Sequence, residues 1–131
     1  MKFRVWDINN KCYVPTQGAP ALGDFMLNCM GELFYTVPAR DGKGELFNKA
    51  WLYLHEFFCY RYDRKMNEMW VGDIVMADLR SRDNAGGYYI ICDYLVWNPF
   101  TFSFELSNYD INYCEQMEVI GNIHQNSELL G

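Results

Sequence analysis

The sequence predicts a mainly β fold, and three observations support this class. Aromatic residues make up 18% of the 131 residues, with ten Tyr and nine Phe, and these side chains favour pleated strands. Apolar and polar residues alternate in several short runs, which is the period of a half-buried strand. Ten Gly and four Pro supply turns between the runs. Half of the residues are hydrophobic, so we expect one domain over residues 1–131 with a buried core.

The first third of the chain predicts two strand pairs. Asn9-Asn10-Lys11 and Gly31-Glu32 supply the two tight turns, and residues 15–23 form a loop containing two Pro and two Gly. Pro38 ends the second pair because proline has no N–H to donate to a ladder. The predicted strands cover residues 2–8, 12–14, 25–30 and 33–37.

Residues 48–62 follow an exposed loop over residues 39–45 and fit two templates. As a helix, they would place Trp51, Leu54 and Phe58 on one face, with Asn48 as the N-cap. As a strand, they would place Leu54, Phe58 and Tyr60 on one face. The spacing favours the helix and the aromatic content favours the strand, so the residues alone leave both open.

The second half of the chain predicts an antiparallel series of strands. Gly72 can close a tight turn with positive φ, and Asp73 can hydrogen-bond the backbone where the turn ends. Phe100, Phe102 and Phe104 alternate with polar residues, which predicts a strand with the rings facing inward. The predicted strands are 73–79, 88–97, 100–105 and 118–123. Residues 81–87 form a hairpin loop, 107–114 a loop with a short helical turn, and Ser127 caps a C-terminal turn.

Three segments carry a resemblance to a known family. They are Lys2-Phe3-Arg4-Val5-Trp6-Asp7, Gly72-Asp73-Ile74-Val75 and the closing segment over residues 118–130. Together they resemble the YopX family of bacteriophages and prophages. The sequence departs from the family pattern at Tyr60 and Met66, which stand where glycines are expected, and at Ser127, which stands in place of a proline.

The resemblance implies the architecture in more detail. A YopX-like domain would have an N-terminal β-hairpin region over about residues 1–65 and a small SH3-like barrel over about residues 66–131, with at most one short helix. The strand pattern from Asp73 to Ile123 agrees with such a barrel. In the family, the segment that precedes the central turn is strand-like, so we predict a strand rather than a helix over residues 51–62.

The charge is distributed unevenly along the chain. Residues 1–65 carry nine Lys or Arg and seven Asp or Glu, whereas residues 66–131 carry two and ten, a net charge of −8. Such an acidic half repels phosphate backbones, which disfavours direct nucleic-acid binding through it. Its carboxylates either form a solvated face or meet a basic surface on another copy or on a partner protein.

The sequence offers little for catalysis or metal binding. His55 and His124 are the two histidines, and neither has the spacing of a nucleophile–base pair. His55 and Cys59 would form an i,i+4 pair only in a helix. The cysteines are odd in number and lack a CxxC motif, so we expect reduced, mostly buried thiols at Cys12, Cys29, Cys59, Cys92 and Cys114. We therefore predict a protein that is not an enzyme and needs no cofactor or metal.

The aromatic excess and the acidic second half predict an interaction surface. Trp and Tyr are enriched where protein surfaces meet, and Trp70 and Trp97 are the expected exposed anchors because both lie beside turns. Five acidic residues complete the candidate interaction surface. The candidate surface consists of Trp70, Asp73, Trp97, Glu105, Asp110, Glu115 and Glu118.

These observations lead to two hypotheses for function. The first is a phage or prophage accessory protein that acts by protein–protein contact, either by self-assembly or by binding and inhibiting a basic host factor. In its sharpest form, the acidic face mimics nucleic acid and blocks a defence nuclease. The alternative is a small β-barrel that binds nucleic acid by stacking bases on aromatic side chains. That barrel would need one basic patch made from Lys2, Arg4, Lys11, Arg40, Lys43, Lys49, Arg61, Arg64 and Lys65.

The expected location follows from two absences in the sequence. No run of eighteen apolar residues is present, so we expect no membrane span. The first residues start a strand pattern rather than the apolar stretch of a secretory signal. We therefore expect a cytoplasmic protein of the host bacterium.

Overall fold

A computed structural model describes residues 2–17, 24–38, 40, 42, 44–81 and 87–131, and it confirms a mainly β protein. The strands within these ranges are numbered β1 to β11 in chain order, and two short 3₁₀ helices accompany them. The strands are β1 (Phe3–Asp7), β2 (Cys12–Val14), β3 (Phe25–Leu27), β4 (Leu33–Pro38), β5 (Glu45–Lys49), β6 (Tyr53–Tyr62), β7 (Glu68–Trp70), β8 (Asp73–Arg80), β9 (Tyr88–Asn98), β10 (Ser103–Leu106) and β11 (Cys114–Asn122). The 3₁₀ helices are Ile111–Tyr113 and Ser127–Leu130.

The chain forms two compact units, Met1–Glu56 and Phe57–Gly131. In the first unit, β3, β4 and β5 form an antiparallel sheet, and β1 lies between β2 and β6. The core of this unit is rich in rings: the centroids of Phe25 and Tyr53 are 5.0 Å apart, and those of Tyr35 and Tyr53 are 6.2 Å apart. Its buried apolar members are Val5, Phe25, Leu33 and Ala50.

The β1–β2 turn of the first unit is organised by Asp7. Its buried carboxylate accepts hydrogen bonds from the backbone N–H groups of Asn9 and Asn10, both at 3.0 Å, and from the Asn10 side chain at 2.8 Å. The backbone hydrogen bond from Asn10 is the largest of the effects that together lower the pKa of Asp7. Lys11 then closes the turn in the left-handed region, with φ of 53°.

The second unit is built on the antiparallel sheet β10-β9-β8-β11. Its core is mainly aliphatic and sulfur-containing, and β7 pairs with the second half of β6 through Phe58 and Trp70. Strand β11 contains two register shifts, which bend a strand and increase its twist. The buried core residues are Cys59, Met69, Val75, Ala77, Ile91, Leu95 and Leu106.

Two of the segments that carry the family resemblance pair with each other in this sheet. Gly121 lies opposite Ile74, and Asn122 lies opposite Asp73. A Cβ atom on Gly121 would come within 2.6–2.8 Å of the Asn126 side chain, so this position requires glycine. The Asn122 side chain accepts hydrogen bonds from the backbone of the next turn at residues 124 and 125, both at 3.0 Å. The closing segment therefore folds as a packed turn against the central one.

Asp63 ties the turn before β7 to β11. Its buried carboxylate accepts hydrogen bonds from the backbone N–H groups of Lys65, Asn67 and Val119 at 2.8–2.9 Å. Burial alone would raise the pKa of Asp63, but these hydrogen bonds outweigh it and hold the pKa below its usual range. Met66 in this turn has φ of 65°.

Tyr60 has φ of 55°, so both positions where the family pattern expects glycine are left-handed here. The departure from glycine at Tyr60 and Met66 thus puts residues with a Cβ into a conformation that glycine adopts more easily. Non-glycine residues pay for that conformation with steric strain between Cβ and the backbone.

Several predicted elements are confirmed and others are corrected. Residues 51–62 contain a strand, as predicted, but it begins at Tyr53, and the prediction missed β5 and β7. The helical turn predicted within 107–114 is the 3₁₀ helix Ile111–Tyr113. Ser127 is the first residue of the second 3₁₀ helix rather than its cap. The centre of the hairpin loop at 81–87 and parts of the loops at 15–23 and 39–45 lie outside the described residues.

The strand predicted over residues 100–105 is wrong in its first half. Phe100 is 91% exposed and Phe102 is 79% exposed, and both lie in the turn between β9 and β10. The Asn98 side chain holds this turn by accepting hydrogen bonds from the N–H groups of Phe100 at 2.9 Å and Thr101 at 3.4 Å. Phe102 has φ of 52°, which is incompatible with a strand, so inward packing starts only at Phe104.

The cysteines are free, but the prediction that most are buried is wrong. Only Cys59 among the five is fully buried, in the core of the second unit. Cys12 is exposed in the short strand β2, and Cys29 is exposed just after the short strand β3. Cys92 is exposed because it lies on the opposite face of β9 from the buried Ile91 and Asp93.

Candidate functional site

Two adjoining clefts in the second unit share Tyr109 and Asp110, and we call them the tyrosine cleft and the second cleft. The tyrosine cleft has a volume of about 310 Å³, and the second cleft one of about 450 Å³. The tyrosine cleft is lined by Arg80, Tyr89, Asn108, Tyr109, Asp110 and Tyr113, among others. The second cleft includes Arg61, Phe104, Glu105, Tyr109, Asp110 and Asn112.

The tyrosine cleft lies where two paired strands meet the 107–113 segment. Leu79 at the end of β8 pairs with Tyr89 at the start of β9, which places both residues at one end of the sheet. The segment after β10 supplies Tyr109 and Tyr113. Tyr89 is 61% exposed, Tyr109 40% and Tyr113 42%, so part of each side chain remains open to solvent.

Asp93 fixes the 107–110 segment that forms the wall between the clefts. Its carboxylate is 0% exposed and accepts hydrogen bonds from the N–H groups of Asn108 at 2.7 Å and Tyr109 at 3.1 Å, and from the Asn108 side chain at 3.0 Å. The N–H group of Ser107 also donates to the Tyr94 carbonyl at 3.0 Å. Because a buried carboxylate must be satisfied, this wall is held in one conformation.

Asp110 is exposed at the boundary of the two clefts. Its carboxylate accepts a hydrogen bond from the N–H group of Asn112 at 2.9 Å and so caps the short 3₁₀ helix. Burial raises the pKa of the nearby Cys114 thiol, and the negative charges of Asp110 and Asp93 raise it further. The carboxylates therefore create a negative potential beside the clefts.

The two arginines that line the clefts differ in their surroundings. Arg80 forms an ion pair with Glu115, and hydrogen bonding to that carboxylate raises the pKa of the guanidinium. Arg61 lines the second cleft together with Glu105. Glu105 accepts hydrogen bonds from Ser103 at 3.1 Å and from Asn98 at 3.2 Å. The charge of Arg80 is thus largely balanced by Glu115.

The structure brings three of the predicted surface residues to the clefts. Glu105 and Asp110 line them, and Glu115 holds Arg80 at the wall of the tyrosine cleft. Glu118 instead pairs with Lys65, with its Oε1 at 2.7 Å from the Lys65 Nζ. Glu118 is absent from the residues that line either cleft.

The other three predicted surface residues are not the exposed groups that the sequence suggested. Asp73 is buried because its carboxylate accepts a hydrogen bond from the Trp70 N–H at 2.8 Å and closes the turn. Trp70 is half-buried with its ring centroid 5.2 Å from that of Phe58. Trp97 is half-buried against Phe104, at 4.8 Å between centroids. Asp73 therefore closes a turn, and each of the two Trp rings packs against a neighbouring ring while part of it stays open to solvent.

The sequence reasoning missed the tyrosines of the cleft. Tyr89, Tyr109 and Tyr113 come from two segments that are distant in sequence, and nothing in the spacing brings them together. One signal was available, since residues 107–114 are both polar and rich in tyrosine. Such a segment is typical of a loop that carries function on a rigid scaffold.

Three members of the basic set named for nucleic-acid binding form ion pairs with carboxylates in the described part of the chain. Arg4 contacts Glu56 at 2.9 Å and Lys49 contacts Glu32 at 2.7 Å. Lys65 contacts Glu118, as described above, and Lys43 lies outside the described residues. These ion pairs reduce the positive charge that such a patch would offer to phosphates.

The described part of the chain has few features typical of metal-binding or membrane-spanning proteins. Within it, no group of three or more His, Cys, Asp or Glu is placed to hold a metal ion. Burial lowers the pKa of His55, which is half-buried. Among the described residues, no helix has both the length and the apolar character needed to cross a membrane.

Comparisons with known proteins agree with this mainly β protein. The family model described as YopX protein matches residues 61–131, more than half of the chain, and the chain belongs to that family. The chain is similar in fold to the crystal structure of protein EF1440 from Enterococcus faecalis, with a TM-score of 0.59 and 18% sequence identity. That similarity covers 99% of this chain and 97% of the other. A comparison with curated proteins finds no match.

Proposed function

We propose that this YopX-family protein is a phage or prophage accessory protein that acts by binding another protein through the two clefts. The observation that carries the proposal is the wall at Tyr109 and Asp110, which borders both clefts and is fixed by the buried Asp93. A preorganised wall with partly exposed tyrosines is typical of a recognition surface, because little entropy is lost on binding.

The charge of the second unit supports a basic partner. Residues 57–131 contain five Lys or Arg and eleven Asp or Glu, a net charge of −6. Complementary charge steers association and selects partners. The partner is therefore a basic protein of the host bacterium, met in its cytoplasm, and contact rather than catalysis is the basis of the activity. Self-assembly is the second form of the same proposal.

We also propose that the second unit is a small barrel of the SH3-like type. Three antiparallel pairings within one four-stranded sheet, the bulged β11 and the closing 3₁₀ helix support this assignment. In such a barrel, the loops at one end of the sheet form the binding surface. The tyrosine cleft lies at such an end, between the β8–β9 pair and the 107–113 segment.

Affinity capture from a host lysate tests the proposed function. The tagged protein, the Tyr109→Ala variant and the Phe100→Ala variant are compared, and the native masses of the eluates are measured. Phe100 is a matched control because it is an exposed aromatic residue of the same unit and lines neither cleft. We expect one defined partner, or defined multiples of the chain, to be lost with Tyr109→Ala and kept with Phe100→Ala.

Two results would count against the proposal. If the Tyr109→Ala variant still captures the same partner, the clefts are not the contact site. If only the Phe100→Ala variant fails to capture the partner, the contact site is the exposed turn between β9 and β10. A folded-state control by circular dichroism separates either result from a loss of structure.

A further inference from the structure

The tyrosine cleft combines aromatic faces with one exposed carboxylate. Tyr89, Tyr109 and Tyr113 line it, and Asp110 lies at its border with the second cleft. Cations bind over the faces of aromatic rings, and a guanidinium group also stacks on them because it is planar. A carboxylate beside such rings adds a charged hydrogen-bond acceptor. The lining of this cleft therefore matches the chemistry of a cationic side chain.

The charge balance of the tyrosine cleft favours the same ligand. Arg80 also lines it, but the Glu115 carboxylate is bound to that guanidinium. Among the described residues, no cation forms an ion pair with Asp110, whose carboxylate accepts a hydrogen bond from the N–H group of Asn112. Asp110 is therefore the carboxylate available to an incoming cation, in a unit whose net charge is −6.

The position of Asp110 also indicates the form of the ligand. Because Tyr109 and Asp110 line both clefts, a ligand that occupies both must pass over them. An extended polypeptide segment has this shape, since its side chains project alternately and its length grows by about 3.3 Å per residue. Neighbouring residues of the segment would then occupy the second cleft.

We propose that the tyrosine cleft binds an arginine side chain carried by an extended segment of a partner protein, with Asp110 pairing with the guanidinium and the tyrosine rings stacking against it. This inference rests on the proposed function and names the chemistry of the partner. Arginine is favoured over lysine because a planar guanidinium both stacks on rings and donates two parallel hydrogen bonds to a carboxylate.

Nuclear magnetic resonance titration with short probes tests the inference. The probe is the pentapeptide Gly-Ser-Arg-Ser-Gly with blocked termini, and the control is the same peptide with citrulline, which keeps the shape of arginine and removes its charge. We expect the arginine peptide to shift the amide signals of residues 108–113 and to bind about fivefold more tightly than the citrulline peptide. Salt should weaken this binding.

Two protein variants sharpen the test. Asp110→Asn removes the charge but keeps a side-chain oxygen that can cap the 3₁₀ helix, so the fold is retained. It should weaken binding of the arginine peptide about fivefold, the size expected for an exposed ion pair. Glu128→Gln removes one exposed carboxylate that lines neither cleft and should leave the affinity unchanged.

The outcomes separate this inference from the proposed function. Equal binding of the arginine and citrulline peptides, or shifts confined to residues outside the clefts, would overturn the arginine assignment. If the peptides fail to bind while a captured protein is still lost with Tyr109→Ala, the inference is wrong and the proposed function stands. If the arginine peptide binds as expected but no protein is captured, the cleft chemistry holds and the proposed function fails.

Discussion

The first unit satisfies its buried carboxylates in two ways, whereas the described contacts of Asp63 and Asp93 in the second unit use one of them. Asp7 in the first unit accepts hydrogen bonds from two backbone N–H groups and an Asn side chain, much as Asp63 and Asp93 do in the second unit. In the first unit, Glu56 is buried beside a cation, and its Oε1 accepts hydrogen bonds from Arg4 at 2.9 Å and from the Tyr13 hydroxyl at 2.8 Å. In the second unit, Asp63 and Asp93 accept their described hydrogen bonds from backbone N–H groups and Asn side chains. A carboxylate held by backbone groups fixes the path of a loop, which a side-chain ion pair does not do.

This difference changes how the net charge of the second unit should be understood. Of its eleven acidic residues, Asp63, Asp73 and Asp93 are buried and belong to turns rather than to the surface. Glu115 and Glu118 are paired with cations. The acidity that a partner meets is therefore concentrated at fewer carboxylates than the sequence count suggests, and Asp110 is one of them.

The largest expected effect comes from removing the backbone-held carboxylate at Asp93. Asp93→Ala leaves the N–H groups of Asn108 and Tyr109 without their acceptor, and unsatisfied buried donors cost about 1–3 kcal/mol each. We expect the free energy of unfolding to fall by about 4 kcal/mol, measured by urea denaturation. Glu128→Ala serves as the exposed control and should change it by less than about 0.5 kcal/mol. A loss below 1 kcal/mol for Asp93→Ala would show that the loop does not depend on this residue.

A smaller effect is expected from the strained turn at Met66. Its φ of 65° is costly for any residue with a Cβ, and its side chain is exposed. Met66→Gly should raise the free energy of unfolding by about 0.5–1 kcal/mol, because relief of the strain exceeds the added entropy of the unfolded chain. Lys11→Gly in the first unit, with φ of 53°, is the matched variant and should behave alike in the same urea experiment. Destabilisation by Met66→Gly alone would mean that the methionine side chain makes a stabilising contact.

The smallest expected effect is a difference in acid sensitivity between the units. The pKa of His55 in the first unit is lowered from 6.5 by burial, so the unfolded chain binds more protons below about pH 6.5. Stability that is present above pH 6.5 is therefore lost as the pH falls. The pKa of Asp63 in the second unit is lowered from 3.8, so its contribution is lost only as the pH falls below about 4.

Hydrogen exchange at pH 7 and pH 5 measures this difference residue by residue. After correction for intrinsic rates, protection in the first half of β6 should fall measurably from pH 7 to pH 5 in the wild-type protein, and His55→Gln should abolish that fall. Equal losses in both units, or a loss that persists in His55→Gln, would contradict the assignment to His55.

The sequence predicted the bounds of several strands closely, even where neighbouring residues on both faces are buried, as at Val5 and Trp6 in β1. β1, β2, β8 and β9 were predicted to within a residue or two at each end. The alternation of aromatic and polar residues gave a wrong prediction of strand at Phe100 and Phe102. A turn held by the Asn98 side chain can have the same alternating sequence with both rings in solvent. An alternating pattern shows which residues could lie on the same face of a strand. It does not show whether that face packs against another part of the protein.

The candidate site was predicted only in part for a related reason. Glu105, Asp110 and Glu115 were identified from charge alone, which is a local property. The tyrosine cleft depends on the pairing of Leu79 with Tyr89 and on the anchoring of the 108–109 backbone by Asp93. Both are tertiary relations between segments that no local pattern connects. Asp73 was misassigned for the same reason, since a turn aspartate and a surface aspartate have the same sequence signature.

The bulged strand β11 has a consequence for the way copies of this protein can associate. β11 is the last strand of its sheet, and its Met117 carbonyl accepts a hydrogen bond from the Arg64 N–H at 2.8 Å, while its Val119 N–H donates to Asp63 at 2.9 Å. Gln116 adds a left-handed kink, with φ of 53°. An incoming strand would find this edge bent and two of its backbone polar groups already engaged near the bulge. Growth of the sheet from chain to chain is thus blocked along β11, and any assembly on that side must use side chains.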